Sequence, residues 1–340
     1  MTQNNTKPRI AYLGIGLMGL PMTHRLLAKG YTVTVYDIAP AQIEQARAAG
    51  AHTAATAAAA VKDADLVLVN LPTPDAVEAV VFGANDTSGT DDTGDTSGTS
   101  GAGGTSGTGG TSGAGGTSGT GGAGGAGGAA SAMRPPQLLI DFSTNKVKQG
   151  KQFAARLKRQ SGCAWIDAPV SGGPPAAGAG ALTIMCGADD AADIERIRPL
   201  MADVSQRFTH MGPMGSGLAA KMLNQLIVGS LHVVLAEAAS MAEAAGLDAA
   251  RLPECLAGGY ADGPLFQRLY PRMVRRDFAP QGYVRQLKKD LEMVEAYAAE
   301  IDTPIPMLGQ ALTLYRQLAD AGHAELDTAA VFKLYDERLI

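Results

Sequence analysis

Short apolar runs alternate with helix-like stretches along the first part of the chain. The runs at 9–16 and 65–72 are apolar, and the run at 31–37 is rich in β-branched and aromatic residues, which is typical of strands. This alternation predicts an α/β fold with a parallel, doubly wound sheet. Segments with helical periodicity or high alanine content follow the strands at 20–30, 40–50, 56–63 and 74–83.

The alternation breaks at a long segment of small residues, Thr87 to Ala129. Nineteen of its 43 residues are glycine, and the others are Ser, Thr, Ala and Asp. Such a segment cannot bury enough apolar surface to offset its ordering entropy, so we predict a disordered, inert insertion. We expect it at the edge of the sheet, before the strand at 137–144. A role as a lid is less favoured, because the segment has no aromatic or basic side chain to hold a substrate.

The pattern then changes from mixed to helical. Two further strands are predicted within 163–173 and 181–187, and a long apolar stretch from Leu218 to Ala245 predicts a buried central helix. We predict a Rossmann domain over residues 7–211 and an all-helical domain over 212–340, with a ligand cleft between them. Three or four more helices are predicted, around 264–275, 282–300, 306–319 and 328–337, the last with Asp327 as its N-cap.

Composition and charge narrow the class of protein. Apolar residues make up 46% of the chain and the net charge is −5, so no basic surplus is available for nucleic acid. The N-terminus is polar, and the best candidate for a membrane span is interrupted by charged residues. The three cysteines are scattered, and neither they nor the five histidines have metal-ligand spacing. We therefore expect a cytoplasmic protein without a metal site, membrane contact or nucleic-acid partner.

A glycine motif follows the first predicted strand. Gly14, Gly16 and Gly19 form G-x-G-x-x-G at the start of a helix, where backbone N–H groups can bind a pyrophosphate. Asp37 ends the second strand 18 residues later, close to the spacing of an acid that binds the ribose hydroxyls. Such an acid repels a 2′-phosphate, and the next residue is Ile38 rather than Arg. We predict a dinucleotide site that favours NAD, with NADP as the alternative.

Two later segments contain residues that could bind a substrate or take part in catalysis. In DAPVSGGPP, Ser171, Gly172 and Gly173 offer a hydroxyl and N–H groups for a carboxylate, although the same residues also suit a plain turn. Lys221 lies near the start of the long apolar helix, and Asn224 follows on the same face. A buried lysine there could exchange a proton with a substrate hydroxyl, whereas a lysine at the surface would only extend into solvent.

These segments together resemble the β-hydroxyacid dehydrogenase family, which includes 3-hydroxyisobutyrate dehydrogenase and 2-hydroxy-3-oxopropionate (tartronate semialdehyde) reductase. The resemblance rests on LGIGLMGLPM, NLP, DFST, DAPVSGG, GLAAKMLNQ and QLKKDL, and covers the chain except the insertion. The family often has a proline soon after DFST, where this chain reads NKVKQG. The residues that the resemblance and the motif place at the cofactor are Gly14, Ile15, Gly16, Leu17, Met18, Gly19, Asp37, Leu71, Pro72, Thr144 and Lys289.

The resemblance also implies an activity. Hydride would pass between nicotinamide and a short 3-hydroxy acid or its semialdehyde, with Lys221 as general acid/base and Asn224 orienting the substrate. Ser171, Gly172 and Gly173 would hold its carboxylate. The family is usually oligomeric, so we expect a homo-oligomer, a dimer or a tetramer.

The motifs do not specify which short hydroxy acid is the substrate. Tartronate semialdehyde, 3-hydroxyisobutyrate and threonate are candidates, and we expect the segment from Gly258 to Met273 to select among them. An imine reductase is less favoured, because that branch usually lacks the lysine at this position. A non-catalytic Rossmann scaffold that senses NAD(H) is the alternative from another class.

Overall fold

The computed structural model describes residues 7–83 and 127–339. The predicted insertion therefore lies outside the described residues, apart from its last three positions. Those positions correct its boundary, because Ala129 is completely buried and begins a 3-10 turn, Ala129–Ser131. The insertion is also wrongly placed at the sheet edge, since the strand that follows it lies between two other strands.

Nine strands form one sheet within the described residues. They are β1 (Ile10–Leu13), β2 (Val33–Tyr36), β3 (His52–Thr53), β4 (Leu66–Val69), β5 (Leu138–Asp141), β6 (Ala164–Asp167), β7 (Val170–Ser171), β8 (Leu182–Gly187) and β9 (Ser205–Gly212). Their order in the sheet is β3-β2-β1-β4-β5-β6-β8-β7, with β9 paired to β8. The prediction of a parallel sheet holds from β3 to β6, but β8 runs antiparallel to β6 and β7. The sequence pattern did not predict β3 and β9.

Helices cover both faces of this sheet, which explains why every residue of β1, β4 and β5 is buried and why these strands are almost wholly apolar. Val147 begins the helix after β5, so the missing family proline does not prevent that helix from forming. The helices are α1 (Gly19–Ala28), α2 (Pro40–Ala48), α3 (Ala57–Val61), α4 (Pro74–Phe82), α5 (Val147–Ser161), α6 (Gly173–Ala179) and α7 (Ala191–Val204).

After β9 the chain is helical, as predicted, and a separate apolar core fills this region. The predicted last helix divides into a 3-10 turn, Thr328–Phe332, and a short α-helix. The N-cap prediction is confirmed, because the carboxylate of Asp327 accepts a hydrogen bond from the N–H of Ala329. The α-helices are α8 (Ser216–Ala244), α9 (Leu252–Leu256), α10 (Pro264–Val274), α11 (Val284–Glu300), α12 (Pro306–Leu318) and α13 (Lys333–Asp336).

The long helix α8 departs from the prediction of a buried central helix. One face packs into the helical core, but the opposite face exposes a row of apolar side chains. α8 is also long and apolar enough to cross a membrane, but helices in the cores of other proteins share this length and composition. The exposed apolar side chains on α8 are Leu223, Ile227, Leu231, Val234 and Met241.

Candidate active site

The strands end in register at the carboxyl edge of the sheet. Leu13 pairs with Val69, Val69 with Asp141, and Asp141 with Asp167. The segments that follow these residues in the chain therefore emerge side by side. This alignment brings the glycine motif, NLP, DFST and DAPVSGG to one edge, where ligands bind in open α/β sheets.

Backbone geometry fixes two of the three motif glycines. Gly14 has φ +88°, and a Cβ there would collide with the carbonyl oxygen of Asn70. A Cβ on Gly19 would collide with the carbonyl oxygen of Gly14, so α1 could not approach β1 as closely. Gly16 differs, because a Cβ there would meet nothing within 4 Å. Packing within the described residues therefore does not require glycine at Gly16, whereas a closely approaching pyrophosphate does.

The start of α1 fits a phosphate group. Its N-cap residue, Met18, makes no side-chain capping bond, and the first turn contains no acidic residue. Leu20 donates its N–H to the carbonyl oxygen of Gly16 and Pro21 has no N–H, so the N–H groups available to an anion are those of residues 16–19. The helix dipole also favours an anion at this end. Leu17 is exposed beside it, while Met18 packs partly against the core.

Asp37 connects the glycine loop to the end of β2. Its Oδ2 accepts a hydrogen bond from the N–H of Ile15 at 2.7 Å, and its Oδ1 accepts one from Ala39 at 2.8 Å. The carboxylate thus helps to shape the loop, a role that the sequence pattern did not predict. Its unused lone pairs can still accept hydrogen bonds from ribose hydroxyls.

A lysine from the helical region reaches the same edge. Lys289 of α11 donates to the carbonyl oxygen of Pro72 at 2.9 Å, and Gln286 donates to it at 3.1 Å. Leu71 donates its N–H to Ser143 Oγ at 2.9 Å. The structure thus joins Pro72 and Lys289, both predicted at the cofactor, and sets Leu71 against the DFST segment. Thr144 in that segment is half-buried.

A buried aspartate orients the long helix. Asp167 ends β6, and its two carboxylate oxygens accept hydrogen bonds from the N–H groups of Gly215 at 2.9 Å and Leu218 at 2.7 Å. Asp167 therefore caps α8 from the end of β6, whereas the N-cap residue of α8 makes no side-chain capping bond. Burial raises the pKa of Asp167 to about 6. This cap was not predicted, although Asp167 stands in the DAPVSGG motif.

Lys221 lies one turn into α8 and is only 7% exposed. Its Nζ donates a hydrogen bond to the carbonyl oxygen of Val170, at 2.8 Å, in the strand that leads to Ser171. Burial lowers the pKa of Lys221 to about 8, while the charge of Asp290 acts in the opposite direction. An amine with a pKa near 8 can both release and accept a proton close to neutral pH.

A polar network supports the same helix face. The amide nitrogen of Asn224 donates to Gln225 Oε1 at 2.8 Å, and Gln225 donates to the buried carboxylate of Asp290 at 2.7 Å. Asp290 also forms an ion pair with Lys289 at 3.0 Å. This chain of contacts links Asn224 to Lys289, so α8 and α11 are held together beside the strand ends. Neither Gln225 nor Asp290 was predicted, although Asp290 follows the lysine pair in QLKKDL.

The Ser171–Gly173 turn requires glycine at two positions, since Gly172 has φ +131° and Gly173 has φ +73°. A further residue, Arg268 of α10, reaches the turn and donates through Nη1 to the carbonyl oxygen of Gly172 at 2.9 Å. Arg268 was not assigned individually, but it lies within the segment in which we expected substrate selection.

No group of three or more potential metal-binding side chains is found in residues 7–83 and 127–339.

Comparison with known proteins agrees with this geometry. The NAD binding domain of 6-phosphogluconate dehydrogenase matches residues 9–102 and 123–212. The NAD-binding domain described for NADP-dependent 3-hydroxyisobutyrate dehydrogenase matches residues 215–335. Together these two matches cover both the α/β part and the helical part of the chain.

Individual relatives match over nearly their whole length. The NAD-dependent L-serine dehydrogenase of Pseudomonas aeruginosa is 31% identical, covering 96% of this chain and 98% of the relative. The 2-hydroxy-3-oxopropionate reductase of Escherichia coli is 27% identical, with 95% of each chain covered. Among solved structures, Mycobacterium tuberculosis 3-hydroxyisobutyrate dehydrogenase with L-serine has a TM-score of 0.74 at 27% identity, covering 96% of this chain and 99% of that one. The chain belongs to the β-hydroxyacid dehydrogenase family of NAD(P)-dependent oxidoreductases.

Proposed function

We propose that the protein interconverts a short 3-hydroxy acid and its semialdehyde, with Lys221 as the general acid/base. The observation that carries the proposal is the position of Lys221. Its amine is buried and hydrogen-bonded to Val170, one residue before the turn proposed to bind the carboxylate. A surface lysine would have neither this burial nor a lowered pKa.

The nicotinamide, when bound, supplies the hydride acceptor or donor. In the oxidative direction, neutral Lys221 takes the proton of the substrate hydroxyl as the adjacent C–H bond loses its hydride. In the reductive direction, protonated Lys221 returns that proton to the forming alkoxide. Asn224 orients the substrate oxygen, and Ser171, Gly172 and Gly173 hold the carboxylate at a fixed distance from Lys221.

The relatives suggest a set of substrates to compare. Their names specify L-serine, 3-hydroxyisobutyrate, 2-hydroxy-3-oxopropionate and 2-(hydroxymethyl)glutarate. We favour 2-hydroxy-3-oxopropionate or 3-hydroxyisobutyrate as the substrate of this chain, with threonate as the alternative. Because Asp37 repels a 2′-phosphate, we expect NAD to be preferred over NADP.

An absorbance assay at the NADH band tests the proposal. Each hydroxy acid is supplied with NAD or NADP, and each semialdehyde with NADH or NADPH. Turnover of at least one short hydroxy acid, together with its loss in Lys221→Ala at unchanged NAD(H) binding, supports the assignment. Absence of turnover with every member of the panel would favour the non-catalytic NAD(H)-sensing scaffold.

The exposed face of α8 supports the expectation of a homo-oligomer. Leu223, Ile227, Leu231 and Val234 are each at least 41% exposed and recur at helical spacing on one face. A second copy of the chain would remove this apolar row from water. Sedimentation equilibrium should show a dimer or tetramer that Ile227→Glu dissociates. The cytoplasmic location stays a prediction.

A further inference from the structure

Arg268 is a cation from the helical region that contacts the Ser171–Gly173 turn. Besides its bond from Nη1 to the carbonyl oxygen of Gly172, its Nη2 lies 3.5 Å from the position that a Cβ on Gly173 would occupy. The guanidinium therefore lies directly against the glycine backbone of the turn. It approaches from α10, whereas the turn belongs to the sheet.

No carboxylate neutralises this charge among residues 7–83 and 127–339. Its neighbours on α10 and just after it behave differently: Arg272 forms ion pairs with Asp277 and Asp327, and Arg276 pairs with Glu243. Arg268 uses one of its five N–H donors on a neutral carbonyl, and no other hydrogen bond within the described residues involves its guanidinium. The remaining donors can form the paired bonds that guanidinium makes with carboxylates.

Lys221 and Arg268 lie close together along the turn. Lys221 binds the carbonyl oxygen of Val170, and Arg268 binds that of Gly172, two residues later. Two residues span at most about 7 Å of backbone, so the two carbonyl groups that hold the amine and the guanidinium are separated by no more than about the length of a short hydroxy acid. Their chemistry differs, because burial lowers the pKa of the Lys221 amine to about 8, whereas the guanidinium of Arg268 is a planar cation with five N–H donors.

We propose that Arg268 binds the substrate carboxylate at the Ser171–Gly173 turn and so selects acids over their neutral analogues. This inference rests on the proposed function, since it requires the turn to hold the carboxylate. The N–H groups and hydroxyl of the turn are neutral donors, so Arg268 supplies the full positive charge that they lack. A guanidinium there both strengthens carboxylate binding and fixes the direction of the substrate chain.

The test compares a charged inhibitor with a neutral one of the same shape. Isobutyrate has the carboxylate but no hydroxyl to oxidise, and isobutyramide replaces the carboxylate with an amide. Their inhibition constants are measured against the panel acid that is turned over fastest. Arg268→Gln keeps a donor near Gly172 without the charge, and should weaken isobutyrate binding about tenfold to a hundredfold. Arg268→Lys keeps the charge and should lose less.

Arg275→Ala is the matched control. It removes an exposed arginine seven positions later, about 10 Å farther along the helix axis, and should leave both inhibition constants unchanged. Isobutyramide should bind equally well to wild type and to every variant. Equal weakening of isobutyrate and isobutyramide in Arg268→Gln would overturn the proposal, because Arg268 would then only position the turn. Unchanged isobutyrate binding would overturn it too.

The two proposals fail in different ways. If wild type turns over no member of the panel, the proposed function fails before Arg268 is altered. If wild type is active and Arg268→Gln binds isobutyrate as well as wild type does, only the role of Arg268 is wrong. Thermal unfolding and NADH fluorescence show whether each variant keeps its fold and cofactor site.

Discussion

Replacing Lys221 with methionine separates the cost of burying its charge from its use in catalysis. Methionine has a similar length and no charge, so it fills the space beside Val170 without an ammonium group. Turnover in both directions should fall by about 10²- to 10⁴-fold, the usual contribution of a general acid/base. NAD(H) binding should change little, because the contacts of the glycine loop do not involve Lys221.

The same variant tests the lowered pKa through stability. The pKa of Lys221 falls from its ordinary value of 10.5 to about 8 in the folded protein, mainly because of burial. Between these values the unfolded chain binds more protons than the folded protein, so wild-type stability rises with pH. A shift of this size corresponds to about 3 kcal/mol, of which about 2.5 kcal/mol is recovered between pH 7 and pH 10.

The assay is urea unfolding of wild type and Lys221→Met at several pH values in this range. Titrating groups that do not interact with Lys221 affect both proteins alike. The difference between the two unfolding free energies therefore reports the titration of Lys221 together with its neighbours Asp290 and Lys289. Wild type should gain about 2.5 kcal/mol relative to the variant from pH 7 to pH 10. The oxidative kcat/KM of wild type should rise with pH through the same pKa near 8. A difference that stays constant with pH would refute the lowered pKa and remove the physical basis for Lys221 as a base.

Three further predictions follow from the cofactor site and the sheet. Asp37→Ser should relax the preference for NAD and also weaken NAD binding about tenfold, because the variant loses the hydrogen bond from the N–H of Ile15. The Kd values for NAD and NADP measure both effects. Gly16→Ala should weaken NAD(P) binding at an unchanged Tm, whereas Gly19→Ala should lower both the NAD(P) affinity and the Tm, because of these two only Gly19 is packed against backbone. An equal loss of Tm in the two variants would contradict this. Deleting 84–126 and joining the flanks with a short glycine linker should leave kcat/KM unchanged, because Gly83 and Gly128 already lie against each other. Insoluble protein would show that the segment is structural.

Much of the fold could be predicted from the sequence, because the patterns that indicate it involve residues close together in the chain. The glycine fingerprint, the alternation of apolar strands and amphipathic helices, and the change to helices after β9 all depend on residues close together in sequence. The pairing of Lys221 with Asn224 on one helix face is also local. The resemblance of the ordered motifs then predicted the family, which the comparisons confirmed.

Long-range contacts decided the rest, because the sequence pattern does not state which distant groups meet. Asp167 caps α8 from 48 or more residues away, and Lys289 binds Pro72 across 217 residues. The reversed direction of β8 and the apolar row on α8 likewise depend on what packs against each element.

The site shows the same division. The sequence indicated a lysine near the start of a helix and a glycine-rich turn after a strand. From the sequence alone, the first could equally be a surface lysine and the second a plain turn. Only the tertiary structure buried Lys221 on the strand before that turn and brought Arg268 against it. Burial lowers the pKa of one cation, and the absence of a carboxylate partner within the described residues leaves the other free to bind an acid. Those two environments are properties of the packed chain, because each is set by residues far away in sequence.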